Sequence, residues 1–414
     1  MTAPPIDGER LLARMAAFAA IGATAKGGVN RQALSPEDRA ARALLAGIGA
    51  ARGFSVHQDA IANLFLRREG RDPALPPLVI GSHLDSQITG GRFDGALGVL
   101  SALEVLESLA DAGIETPRAV EVVAWTNEEG SHYQPGCMGS MAFAAGAVPA
   151  AWHGLTGHDG SRFAEELAAT LAALPQAAIR PTGFTVAAYL ELHIEQGPSL
   201  ERAELPVGIV TGIQGTRWFE VTVEGQAAHA GTTALAFRRD PLAAAVAALG
   251  RLYGRVMPQD EAARFTVGRM NVAPGVVNAI PERVTFSIDL RHPESPVLDR
   301  LEGEIAATLR EAAGAAGCTA EMRRLFDMPP ARFDAGLVAA LEAAAQRSGF
   351  AFRSMVSGAF HDALFLARVA PAAMIFVPCR DGLSHNEAEF VPDGNVVAGA
   401  QMLRAGVEEI LARL

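Results

Sequence analysis

The chain has 414 residues, half of them hydrophobic, a formal net charge of −11 and three cysteines. That length suits two domains with a sizeable core, and the negative charge argues against nucleic acid or an anionic membrane as a partner. No apolar run approaches the ~20 residues a membrane helix needs. Cys137, Cys318 and Cys379 are scattered and odd in number, which points to a reducing cytoplasm rather than a disulfide framework. With no Cys-x-x-Cys pair, any metal must be held by histidine and carboxylate.

Near the start, Leu11, Leu12, Met15 and Phe18 recur at helical spacing after Asp7, Glu9 and Arg10, with Arg14 among them. The apolar stretch from Met15 to Ile21 therefore reads as part of an amphipathic first helix and not as a signal peptide. Ser35-Pro36-Glu37-Asp38 opens a second helix that closes near Gly53, and residues 54–67 read as paired strands. Leu78, Val79 and Ile80 form a short buried strand, and His83 and Asp85 leave its C-terminal end. Asp94 follows in a loop punctuated by Gly90, Gly91, Gly95 and Gly98. Val99, Leu100, Leu103, Leu106 and Leu109 then set a helical pattern. The apolar run from Ala119 to Trp125 ends in Thr126-Asn127-Glu128-Glu129-Gly130. After an Ala/Leu helix over 161–174, the strand from Tyr189 to Ile194 brings His193, then Glu195, Gln196 and Gly197. Strands separated by helices imply an α/β fold, a mixed and largely parallel sheet flanked by helices. Sites in such sheets gather beyond the carboxyl ends of the strands.

The texture changes after about Gly212. Arg217 to Glu224 alternates as a half-exposed strand should, and a loop with His229-Ala230-Gly231-Thr232-Thr233 follows. A helix from Asp240-Pro241, strands at 265–271 and 284–290 and a helix over 298–315 complete a small α+β unit. The expected organisation is a catalytic domain of residues 1–212 and 329–414, interrupted by an insert of residues 213–328. The first texture resumes with a helix over 334–347, a strand from Ala372 to Val377 and a closing helix from about Asn395.

A single histidine at a strand end is ordinarily a hydrogen-bonded structural residue, and an acidic pair is ordinarily a solvated loop. Here several segments end alike. His83, Asp85, Asp94, Glu128, Glu129, His193 and, after the last strand, His385 would converge on one sheet edge. Histidines mixed with carboxylates suit zinc, or manganese, cobalt or nickel. Five protein ligands exceed what one catalytic zinc accepts, but fit two divalent ions sharing a bridging carboxylate. One of the adjacent acids Glu128 and Glu129 would then serve as base and the other as ligand.

These residues resemble those of the di-zinc aminoacylase/carboxypeptidase superfamily. Within it, they resemble the branch of N-carbamoyl-L-amino-acid hydrolases, β-ureidopropionases and allantoate amidohydrolases. The resemblance runs through Gly27–Arg31, His83–Gly98, Asn127–Gly130, Glu191–Pro198, Ala228–Thr233, Asn278–Pro281, Asp289–Arg291 and Pro378–Glu389. His193 marks the branch. The resemblance implies that His83 and His193 hold one ion, Glu129 and His385 the other, that Asp94 bridges, that Glu128 is the general base and that Asp85 supports His83. It further implies a zinc-exopeptidase-like domain and a lid that forms a homodimer, with His229 of the partner subunit polarising the scissile carbonyl. Gln196, Asn278 and Arg291 would hold a small carboxylate substrate. Two departures bear on substrate: Phe360 stands where the branch usually has glycine, and His132-Tyr133 where it often has Arg-Phe. The expected activity is hydrolysis of an N-carbamoyl-L-amino acid to the amino acid, ammonia and carbon dioxide. The rivals are an allantoate, ureidoglycolate or β-ureidopropionate hydrolase, an N-acyl-amino-acid amidase or dipeptidase and, remotely, a non-catalytic binding protein of the same fold.

Overall fold

Leu78–His83, Val120–Trp125, Ala188–Ile194 and Ala372–Val377 are strands buried at every position. A strand covered on both faces has no exposed side to mark, so each reads as a nearly unbroken apolar run. In the computed structural model, which describes residues 6–414, these strands lie side by side and parallel. Their order is Ala372, Ala188, Leu78, Val120. Antiparallel strands extend the sheet at both ends. Leu64–Arg68 and then Ser55–Gln58 lie beyond the Val120 strand, and Val207–Ile213 beyond the Ala372 strand.

Helices Gly8–Ala19, Ala96–Asp111, Ala335–Arg347 and Asp393–Arg413 send Leu11, Leu103, Leu341 and Val407 into one core with Ile80 and Ile375 of the sheet. Among the described residues, no helix is long and apolar enough to cross a membrane.

Two units are resolved. One comprises the described residues up to Thr211 together with Arg332–Leu414, and the other is Gly212–Ala331. The second has its own core around Phe219, Phe286, Ile288, Leu249 and Ile305. It carries a five-stranded antiparallel sheet centred on Arg283–His292 and Gly215–Glu224. The sequence reading of one strand at 265–271 needs correcting. Two strands lie there, Arg264–Thr266 and Met270–Ala273. Between Thr266 opposite Asp289 and Met270 opposite Phe286 this chain spends one residue more than its partner, a bulge around Gly268. The strand Thr319–Met328 was not anticipated. It is exposed or half-exposed along its whole length and lacks the apolar alternation that would reveal it.

The helix after the Asp94 loop is packed against the sheet with no room for a side chain at Gly98. A Cβ there would meet the Leu192 carbonyl oxygen at 2.3 Å and the Ser82 Cβ at 2.8 Å. Both neighbours sit one residue before a site histidine. Gly98→Ala is expected to cost about 1–3 kcal/mol, the range for overpacking, read as a lower urea midpoint at unchanged slope. A wild-type midpoint would show that the helix can back away.

Candidate active site

His83 ends the Leu78 strand, and His193 lies near the end of the adjacent parallel strand, so the sheet itself sets the two rings side by side, centroids 5.8 Å apart. Each ring is fixed by a backbone carbonyl. His83 Nδ1–H donates to the Asp85 oxygen and His193 Nδ1–H to that of Ile194, both at 2.9 Å. Both Nε2 atoms are thereby left as the free faces, the usual arrangement for a ligating histidine. Asp94 Oδ1 lies 3.5 Å from His83 Nε2 and 3.0 Å from His193 Nε2. Its other oxygen lies 3.6 Å from His385 Nε2, which is 3.2 Å from Glu129 Oε2. Two ligand groups result, His83–Asp94–His193 and Asp94–Glu129–His385, sharing one carboxylate. Gly95 allows this approach, since it has φ +62 and a Cβ on it would lie 2.4 Å from the His83 ring.

The acid pair stands beside them. Glu128 Oε2 is 3.5 Å from His83 Nε2, and the Cys137 thiol is 3.5 Å from Glu128 Oε1. Glu129 accepts from the Gln87 backbone N–H (3.1 Å) and side-chain amide (2.8 Å). Burial, reinforced by the charges of Asp362, Glu129 and Asp94 against the opposing His83, pushes the Glu128 carboxyl well above the usual range. Burial lowers the basicity of His83, but Glu128, Asp94 and Asp85 outweigh it and raise it well above the ordinary value. For His385 the bond to Glu129 outweighs burial and raises the pKa to about 9. These are the signs of a pocket short of positive charge. His83 Nε2 is buried without a hydrogen-bond partner. An orphaned nitrogen facing carboxylates fits a divalent cation.

Asp85 meets His83 through its backbone. Its carboxylate lies 3.8 Å from His83 Nδ1, beyond hydrogen-bond reach, and it is the backbone carbonyl that orients the ring. The carboxylate instead accepts the backbone N–H groups of Glu128 (3.3 Å) and Glu129 (3.2 Å), fixing the acid pair. Gln196, expected at substrate, donates to Asp94 Oδ2 at 2.9 Å. Ser384 and Glu389, which no role was assigned, complete the hold on Asp94. The Ser384 hydroxyl is 2.8 Å from Asp94 Oδ2, and Glu389 accepts the Phe93 and Asp94 N–H groups at 3.0 and 3.1 Å.

His229, Asn278 and Arg291 belong to the second unit. There, His229 is exposed and pairs across a short two-stranded ribbon with Ala279, beside Asn278. Its Nδ1 accepts the N–H groups of Gly231 and Thr232 at 3.1 and 3.2 Å, so the neutral ring carries its proton on Nε2. Arg291 is held by a two-pronged contact to Asp289, at 2.9 and 2.8 Å. Phe360 is half-buried on the loop between Ser357 and His361, and the His361 ring packs edge-on against His193 at 4.4 Å. His132 and Tyr133 serve packing. His132 Nδ1–H donates to the Ala33 oxygen at 2.7 Å, and Tyr133 lies in a satellite core against Phe163.

The profile of peptidase family M20/M25/M40 matches residues 79–409. The chain belongs to this family. It is similar to an N-carbamoyl-L-amino acid amidohydrolase of Geobacillus stearothermophilus, with 40% identity over 96% of this chain and 97% of the relative. It is also similar to an allantoate amidohydrolase of Bacillus subtilis, with 34% identity over 93% of each chain. The crystal structure of an amidase of the hydantoinase/carbamoylase family from Burkholderia multivorans superposes with a TM-score of 0.92, at 42% identity and 98% coverage of both chains. Membership makes the chain a hydrolase, and the two ligand groups give it the side chains to bind divalent metal.

Behind the acid pair lies a clamp that pattern reading missed. Asn63 accepts the Thr126 N–H at 3.1 Å and donates to the Gly139 oxygen at 3.0 Å, closing the loop that presents Glu128 and Glu129. Buried Asp59 in turn holds Asn63 by its backbone and side-chain N–H groups, at 2.9 Å each. Burial, partly offset by these bonds, pushes the Asp59 carboxyl from 3.8 to about 6. The native chain then binds a proton that the unfolded chain lacks between those two values. The stability owed to this group is therefore greatest at the acid end and falls as the pH rises through 6. Comparing wild type with Asp59→Asn by denaturant unfolding, the wild-type advantage should shrink by ~2–3 kcal/mol between pH 4 and pH 7. A pH-independent difference would count against this account.

Proposed function

We propose that the chain is a metal-dependent amidohydrolase that converts an N-carbamoyl-L-amino acid to the L-amino acid, ammonia and carbon dioxide. The observation that carries this reading is Asp94, whose two oxygens face two separate ligand groups while Glu128 stands beside them without ligating in either. The names of the two curated relatives place their substrates among linear ureido compounds.

His83, His193 and Asp94 would hold one ion, and Asp94, Glu129 and His385 the other. Bound there, zinc, or manganese, cobalt or nickel, would polarise the attacking water and the carbonyl it attacks. The chain supplies the proton transfers. Glu128 takes the proton of the water that attacks the carbamoyl carbon, and returns it to the nitrogen that leaves when the C–N bond breaks. His229 presents Nε2–H, the tautomer that donates to a developing oxyanion. Arg291, held by Asp289, receives the substrate carboxylate. Asn278 and Phe360 bound the substrate, and Gln196 steadies Asp94. We further propose a cytoplasmic homodimer formed through the inserted unit, with His229 serving the site of the partner subunit.

Glu128→Ala should retain its metal and lose kcat by ~100-fold or more, the scale of a positioned acid–base group. Substantial turnover with metal retained would remove Glu128 from the mechanism. Comparing kcat/KM for N-carbamoyl, N-formyl, N-acetyl, dipeptide and allantoate substrates tests the ureido assignment, which fails if an acyl or peptide substrate leads.

Mixing inactive Glu128→Ala and His229→Ala subunits tests the shared site. If His229 acts on the partner, each mixed dimer holds one site with both residues intact, and activity returns on mixing. No recovery after verified subunit exchange would place His229 and Glu128 of one site on the same chain.

A further inference from the structure

Several buried acids of the first unit meet arginine. Glu121 is paired with Arg67 (2.8 Å) and Arg180 (2.7 Å), Asp38 with Arg42 (2.8 Å) and Glu104 with Arg10 (2.7 Å). Behind the site histidines this pattern stops. Glu191 and Asp362 are both fully buried, and neither is ion-paired to arginine or lysine among the described residues. Glu191 accepts the Ser82 hydroxyl at 2.7 Å and the Ala363 N–H at 3.0 Å. Asp362 accepts the Ser140 hydroxyl at 2.5 Å through Oδ1, while Oδ2 has no hydrogen-bond partner.

Their place in the chain matters. Ser82 precedes His83, and Glu191 lies two residues before His193 on the neighbouring strand. Asp362 follows His361, whose ring packs on that of His193. A buried carboxylate oxygen without a partner is costly. The chain accepts this cost beside the pocket whose ligand groups themselves call for a cation.

We propose that Asp362, with Glu191 behind it, is a positioning residue for the buried ion: a carboxylate behind the site histidines, without an arginine or lysine partner, that a divalent cation held there balances. The inference rests on the metal reading above and extends it to residues outside the ligand groups. The charge of Asp362 therefore sets how tightly the ion binds and adds nothing to the stability of the metal-free chain, whereas its bond to Ser140 acts in both forms. A structural role, holding Ser140 and the helix Met138–Ala145, would act equally with and without metal.

The test uses the full-length protein, stripped of metal and titrated with Zn2+ in competition with a chromophoric chelator, with melting temperature measured before and after loading. Asp362→Asn keeps the shape and can still accept the Ser140 hydroxyl, but removes the charge. It should bind Zn2+ ~10-fold or more weakly, the usual effect of losing an outer partner of a ligand. Metal-free, it should melt no lower than wild type, so that the rise on loading shrinks. Ser140→Ala, which cuts the bond and keeps the charge, should melt lower in both forms and retain the rise. Unchanged Zn2+ affinity in Asp362→Asn overturns the proposal. So does an equal loss of stability in both forms, or failure of the metal-free variant to fold. A wild type that takes up no Zn2+ overturns the metal reading itself, a result distinct from the other three.

Discussion

The site depends on one carboxylate being held still. Asp94 stands where two groups of ligands meet, and neither group is complete without it. Its Oδ2 is steadied by the Gln196 amide and the Ser384 hydroxyl, and Glu389 takes the N–H groups of Asp94 and its neighbour Phe93. These partners come from two segments far from Asp94 in sequence, one at Gln196 and one at Ser384–Glu389, so the bridge can form only once the strands that carry them have assembled. Gly95 and Gly98 then let the loop and its helix come close to His83 and to the backbone of Leu192, beside His193. Fold and chemistry meet at this point: burial by itself disfavours the charged carboxylate, and His193 and His83 outweigh it and hold Asp94 well below the usual carboxylate range.

The acid pair is fixed by a different device. Asn127 precedes Glu128 with φ 55, a left-handed conformation that asparagine tolerates better than most residues. Its side-chain amide closes the loop by donating to the Tyr133 and Pro135 oxygens at 2.7 and 3.0 Å. Asp85 caps the N–H groups of both acids from below, and Asn63 ties the two ends of the loop together. Gln196 and His385 also have positive φ, 55 and 54. Several of the groups that define the pocket thus sit on turns that ordinary strand or helix geometry would not supply. Such outliers mark sites where the surrounding structure dictates the backbone.

That contrast explains what was legible in the sequence. The strands that carry His83 and His193 were readable because strands buried on both faces leave apolar runs, and a histidine or acid ending such a run stands out. Asp94, Glu128, Glu129 and His385 were readable as a set, since alone each is an ordinary loop residue. The partners of these residues were hidden. Gln87, Ser384 and Asn63 are common polar residues whose significance lies in contacts across the fold, which no local spacing encodes. Asp85 stands out at the strand end, but a residue number cannot say whether its carbonyl or its carboxylate faces a ring. Glu191 carried an unused signal: a charged residue inside the apolar run Ala188–Ile194 must be buried, and a buried acid requires an explanation.

The reading of substrate follows from how the departures from the family pattern are used. His132 and Tyr133 are absorbed by packing: one ring is bonded to the Ala33 oxygen, and the other fills a satellite core with Phe163 and Trp152. Neither has a reason to alter specificity. Phe360 is different, because it lies on the short loop whose next residue, His361, packs against a ligand histidine. Phe360 itself belongs to neither ligand group. On the reading proposed above the chemistry is that of the family, and any narrowing of substrate arises at Phe360 and at the groups proposed to meet substrate from the second unit, Arg291, Asn278 and His229.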